Sequence, residues 1–230
     1  MKAWLYLLTR KPVKGFTLLE LLMASVLTFL VVSATGYAVF IMTRDNISSS
    51  VSSDLQFNTN RASDFIADEI KQSSALSTDP AILPSGCTSI TSSQFVFGLI
   101  FAPATTPSVI YYKKTPPDSP WRGPSSIYRC GPSFDGSGVV DYASTTRSSN
   151  ILVDSISTTT TNCPSGMFPT TSVAGFYICH NNSSPLKLVQ LNITATSTDL
   201  AARGLTRQSQ GASSGTYSVR TTVFARSGAP

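Results

Sequence analysis

Histidine occurs once in these 230 residues, at His180. One imidazole supplies neither a histidine-dependent nucleophilic triad nor a histidine-rich metal site, and a lone histidine after a strand reads as a solvated side chain. No C-x-x-C spacing joins any of the four cysteines, which leaves a zinc ribbon or a thioredoxin-like motif without support. The chain carries no nucleotide-binding motif, and charged residues make up only 13% of it. Beyond position 76 the acids are Asp79, Asp118, Asp135, Asp141, Asp154 and Asp199, with no glutamate among them and most in or beside turns. That is a poor source of the paired carboxylates that glycoside hydrolysis needs across a cleft. Asp135-Gly136-Ser137-Gly138 with Asp141 lacks the alternating ligands and closing glutamate of a calcium loop, so it reads as a turn. These absences argue for a non-enzymatic protein with no catalytic residue, metal or cofactor to assign.

Charge is most conspicuously missing between positions 16 and 43, where Glu20 is the only formally charged residue. The apolar run 21–42 is 22 residues long, enough at about 1.5 Å per residue to cross a hydrocarbon core of roughly 30 Å. Lys2, Arg10, Lys11 and Lys14 precede it without any acid; removing them lowers the formal charge from +5 to +1. The basicity is therefore mainly a topology signal, placing the first residues in the cytoplasm and the chain after Thr43 outside it. A Sec leader fits poorly, because the candidate cleavage site lies before the hydrophobic stretch rather than after it.

From Phe16 to about Ser74 the pattern reads as one long helix, apolar all round in its first half. In the second half Leu55, Ala62, Phe65, Ile66 and Ile70 recur at helical spacing, with Asp54, Arg61, Asp64, Asp68 and Lys71 on the other side. This stripe should lie on a sheet. Gly36 is either a bend or a point of close packing. Asp79-Pro80 and Pro84-Ser85-Gly86 stop the helix, and seven β-branched or aromatic runs follow, at 94–101, 108–113, 127–129, 151–156, 175–180, 186–196 and 216–225. With no second long helix to serve as a crossover, the sheet should be antiparallel and the fold class α+β, the sheet packed on the outer half of the N-terminal helix. The organisation is then a leader at 1–15, a membrane-spanning or core helix at 16–43, its amphipathic continuation at 44–76, and an exported β-rich domain at 77–230.

Cys87, Cys130, Cys163 and Cys179 all fall on the exported side, where oxidation is the default. Four cysteines allow three pairings. The simplest joins Cys163 to Cys179 across a fifteen-residue interval and Cys87 to Cys130 across a longer one. Arg203, Arg207, Arg220 and Arg226 crowd the end of the chain near Tyr217. They offer a surface for phosphates or an acidic partner, but they read first as a solvated face rather than a nucleic-acid site. Asn46, Asn182 and Asn192 begin glycosylation triplets of the kind that a Ser/Thr-rich chain generates by chance.

The eleven residues Lys14-Gly15-Phe16-Thr17-Leu18-Leu19-Glu20-Leu21-Leu22-Met23-Ala24 resemble the class III signal of type IV pilins and of the pseudopilins of type II secretion. The resemblance implies cleavage by a prepilin peptidase between Gly15 and Phe16, N-methylation of Phe16, and an assembly role for Glu20 opposite the amino terminus of a neighbouring subunit. The run from Phe57 to Ile70 is similar to the helix of PilW-like minor pilins and of J-type minor pseudopilins, and Val223-Phe224-Ala225-Arg226 to their closing strand. A chain of about 215 residues after cleavage, long for a major pilin, points the same way. The function so implied is that of a minor pilin that primes assembly or joins a tip complex. Its implied partners are other minor and major pilins, the peptidase, the inner membrane and its assembly platform, and it would move from the inner membrane to a surface pilus or periplasmic pseudopilus. A type II secretion pseudopilin is the first alternative, and a pilin-anchored carbohydrate-binding or hydrolytic domain the second.

Overall fold

The structure is a computed structural model and describes residues 15–117, 120–160, 162–170, 174–183, 185–197 and 216–226. The four basic leader residues, Asp118, Asp199, Arg203 and Arg207 lie outside the described residues. Two compact units divide the chain, one through Ile47 and one from Ser48.

Helix α1 covers Leu18–Gln72, 55 residues, and passes through Gly36 without interruption. It starts two residues later than the apolar pattern alone suggests because Thr17 acts as its N-cap. The Thr17 hydroxyl accepts the Glu20 amide at 3.3 Å, and the Thr17 carbonyl accepts the first helical bond from Leu21 at 3.1 Å. At the other end Ser73 closes the last turn, its hydroxyl donating to the Ile70 carbonyl at 2.7 Å. Within the first unit every residue from 15 to 43 is exposed, and this part of α1 is long and apolar enough to cross a membrane. Its hydroxyls do not spoil that surface. Ser25, Thr28, Thr35 and Thr43 each donate to a carbonyl three or four residues back, at 2.7–2.9 Å, so each is satisfied inside its own helix.

In the second unit the rest of α1 packs on a nine-stranded antiparallel sheet. The strands are β1 (Ala75–Ser77), β2 (Phe95–Ile100), β3 (Val109–Lys114), β4 (Ser125–Pro132), β5 (Arg147–Ile156), β6 (Phe168–Pro169), β7 (Phe176–His180), β8 (Leu188–Thr196) and β9 (Thr216–Phe224). They pair in the order β1-β2-β3-β4-β5-β8-β7-β6, with β9 added to β8. The sheet curls, since Leu76 in β1 also bridges to Leu186, just ahead of β8. Inside the curl Ala62, Ile66, Ala67 and Ile70 of α1 meet Val96, Phe97, Val109, Tyr111, Phe176, Leu191 and Ile193. Of the expected stripe, Ala62, Ile66 and Ile70 are buried, while Leu55 and Phe65 lie at its half-buried margin.

A second apolar cluster, built from Cys87, Ile90, Phe95, Ile110, Tyr112, Tyr128 and Cys130, covers the other side of β2, β3 and β4. Those strands are therefore buried on both faces and read as continuous apolar runs rather than alternating ones. Gly175 fixes the crossing between β5 and β7. Its φ is +69°, and a Cβ there would land on the Ser157 carbonyl, so only glycine fits.

Cys87 is bonded to Cys130 and Cys163 to Cys179, the pairing expected from their order, with sequence separations of 43 and 16. In the loop-entropy model these links stabilise by about 4 and about 3 kcal/mol respectively. Replacing Cys87 and Cys130 together by serine should consequently cost more than replacing Cys163 and Cys179. Thermal unfolding of the two double variants measures this, and the reverse order would show that the loop-entropy account fails here.

Candidate functional site

Gly15, Phe16 and Glu20 come together in the first turn of α1 and the residues just before it. Among the described residues no heavy atom beyond the chain neighbours lies within 4 Å of where a Cβ on Gly15 would stand. Phe16 is 76% exposed. Glu20 stands at the third helical position, exposed, behind its Thr17 cap. Thr17-Leu18-Leu19-Glu20 thus has the spacing of a capping box, which was legible in the sequence but is overshadowed there by the more conspicuous lone charge. A first-turn carboxylate gains about 0.3–1 kcal/mol from the helix dipole. Placing the same charge near hydrocarbon costs several kcal/mol. Capping alone is too small to account for a carboxylate at the mouth of this run.

Chemically, residues 16–42 offer an apolar surface on every side with one anion at its start. No described residue of the first unit covers that surface. Lipid chains or other apolar helices are the two media that match it, and a cation is the group that would match Glu20 there.

The chain's other glutamate was not among the expected site residues, although its place on the apolar stripe, seven residues after Ala62 and three after Ile66, was a signal that could have found it. Glu69 lies on α1 and is 4% exposed at its side chain, facing Arg129 of β4 at 3%. Arg129 Nη2 donates to Glu69 Oε1 at 2.7 Å, and Nε to Oε1 and Oε2 at 3.1 and 3.0 Å. The Tyr111 hydroxyl donates to Oε2, and the Tyr142 hydroxyl to Oε1 at 3.2 Å. The remaining guanidinium nitrogen, Nη1, donates to the Pro132 carbonyl at 2.9 Å, and the guanidinium carbon lies 5.1 Å from the centre of the Phe134 ring. Burial, and then the Glu69 carboxylate, hold the Tyr111 and Tyr142 phenols well above their ordinary value. Burial works against the Arg129 charge, yet hydrogen bonding and attraction to Glu69 more than offset it and raise its pKa. All four groups are neutral or mutually compensated at neutral pH. The cluster ties α1 to β3 and β4 and so holds the helix on the sheet, while Glu69 and Tyr142 also line a hollow beside Phe134.

Other sequence candidates resolve simply. Asp135 Oδ1 accepts from the Ser137 amide and hydroxyl and from the Val139 amide, which makes the glycine-rich segment a self-closed turn. Asn192 is 3% exposed and donates to Cys179 Sγ and the Gln190 carbonyl, so it is no surface acceptor for sugar. The ring Nδ1 of His180 lies 3.0 Å from the Asn181 carbonyl. Among the described residues no three His, Cys, Asp or Glu side chains group as metal ligands. Arg220 and Arg226 are exposed at β9 and just beyond it.

Compared with protein-family models, curated proteins and solved structures, the chain finds no match. A long apolar N-terminal helix followed by an antiparallel sheet is compatible with a pilin-like architecture.

Proposed function

We propose that this protein is a non-enzymatic assembly subunit of the pilin kind, a minor pilin that helps prime a type IV pilus or joins its tip. The observation that carries this is the mainly apolar surface of residues 16–42, exposed throughout and with Glu20 as its only charge, immediately after the Gly15-Phe16 junction. Such a helix waits in a membrane as a single-span anchor, and afterwards exchanges lipid for the equally apolar helices of neighbouring subunits. Glu20 would meet a neighbour's cationic amino terminus, where low dielectric strengthens the attraction although desolvation offsets much of it, so its benefit is register between subunits. The curled sheet domain then stands outside the membrane with both disulfides oxidised, and the assembly platform and other pilins are the partners.

Processing tests this directly. Co-expressed with an active prepilin peptidase, the chain should lose residues 1–15 and begin at N-methylated Phe16, as read by mass spectrometry of the mature terminus. A bulky side chain at Gly15 should block cleavage, because a catalytic group must approach this backbone. A chain still beginning at Met1 beside an active peptidase would remove the basis of the assignment.

A further inference from the structure

On one flank of α1, Phe65, Asp68 and Gln72 front the 133–142 loop and leave two adjoining hollows of about 320 and 420 Å³. Phe134, Val139 and Val140 line both hollows, and Phe134 is 46% and Val139 62% exposed. Around this apolar floor stand the carboxylates of Asp68, Asp135 and Asp141, all exposed. Lys71 is paired with Asp68, and Arg129 is spent on Glu69 below the floor. The groove is therefore apolar at its base and acidic at its rim.

The opposite flank of α1 holds β9, through Asn60 to the Tyr217 hydroxyl at 3.0 Å and Ser63 to the Thr221 hydroxyl at 3.2 Å. With about 100° of rotation per residue, Asn60 and Ser63 face one side of the core stripe and Phe65, Asp68 and Gln72 the other. The side of β9 turned away from α1 carries Arg220, Thr222 and Phe224, with Arg226 two residues on; the Phe224 ring is 65% exposed. An aromatic side chain between two surface arginines is the complement of an apolar groove between carboxylates.

We infer that the Phe224/Arg226 end of β9 docks into the Phe134/Val139 groove of a second copy of this chain. The two surfaces are different and lie on opposite flanks of one helix, so the contact is heterologous and propagates from copy to copy instead of closing a dimer. Burial of Phe224 supplies attraction, while Arg226 against Asp135 and Asp141, and Arg220 towards Asp68, set orientation and encounter. This contact rests on the outer domain alone and stands whatever the fate of the Gly15 and Glu20 experiments.

The test uses the full chain in lipid vesicles, its native disulfides formed, with Thr222→Cys in one tagged population and Ser144→Cys in another, positions beside the contact that leave Phe224, Phe134 and Val139 in place. Mild oxidation of the mixture should link the two tags, while each population alone should give little cross-linked dimer, and the variant with both changes should form a ladder beyond dimer. Asp68→Lys or Arg226→Glu should each lower the mixed cross-link about five-fold, and combining them should restore much of it. Cross-linking confined to single-population dimers would mean a closed isologous contact and overturn the inference. So would absence of the mixed product at vesicle densities where unrelated cysteine pairs on the outer domain already collide.

Discussion

Arg129→Ala is expected to destabilise the outer domain by about 3–5 kcal/mol, because it leaves Glu69 charged, dry and unpaired against α1. For a domain of this size the loss lowers the melting midpoint by on the order of 10 °C. Glu69→Ala should be as severe, since it orphans Arg129 and removes the acceptor of two tyrosine hydroxyls together. Replacing Arg129 and Glu69 both by methionine, which fills similar volume without charge, should cost clearly less than either single alanine change, as buried ion pairs commonly repay only their own desolvation. Thermal unfolding of the oxidised full chain, followed by circular dichroism, gives all three values. Single changes within about 1 kcal/mol of the parent, or a double change no milder than its parts, would show that the cluster does not hold α1 on the sheet. Alkali offers an independent view. Tyr111 and Tyr142 have phenol pKa values raised in the folded state, so their contribution is complete below the unfolded phenol value near pH 10 and is lost as pH rises beyond it. Tyr111→Phe should flatten that alkaline limb.

The helix and most of the sheet were legible because their signals are local. Seven of the strands announce themselves through β-branched and aromatic runs between turn residues, and each lies within a few residues of its expected place. β1 and β6 were not legible, being three and two residues long, shorter than any periodicity can resolve. The cysteine pairing followed from order alone. Glu69 was passed over for a different reason: its charge suggests solvent, yet it falls seven residues after Ala62, four after Phe65 and three after Ile66, on the apolar stripe, while Asp68 and Lys71 are on the exposed side. What the spacing could not supply is the partner, Arg129, sixty positions away on a strand. Glu20 shows the converse. Its isolation is visible in a window of about thirty residues, while its Thr17 cap, equally local, was overshadowed by the stronger signal of a charge in an apolar run.

If the protein is the assembly subunit proposed above, Glu20→Ala should leave the chain inserted, cleaved and folded yet largely excluded from the filament. The sheet domain cannot depend on this residue, because its core is made by residues from 62 onward and both disulfides lie beyond. Nor can the helix, since a first-turn carboxylate is worth about 0.3–1 kcal/mol and Thr17 still caps the end. Membrane residence even becomes easier without the charge. On the proposed reading, what disappears is the one charged group on the apolar surface able to hold a cation, and with it the register between neighbouring helices; losing ~1.4 kcal/mol at each such contact would weaken incorporation about ten-fold. Glu20→Gln separates this from capping. Glutamine keeps the size and the hydrogen-bonding capacity that a capping box uses, so it would rescue a helix-end role, whereas it carries no charge and should fail as alanine does if pairing with an amino terminus is the mechanism. The measurement is the number of filaments and the stoichiometry of the variant within them, at equal subunit levels, in cells with the complete assembly machinery. Parental filament number and content for Glu20→Ala would dismiss the charge-pairing mechanism, and failure of alanine with full rescue by glutamine would reassign Glu20 to the helix cap.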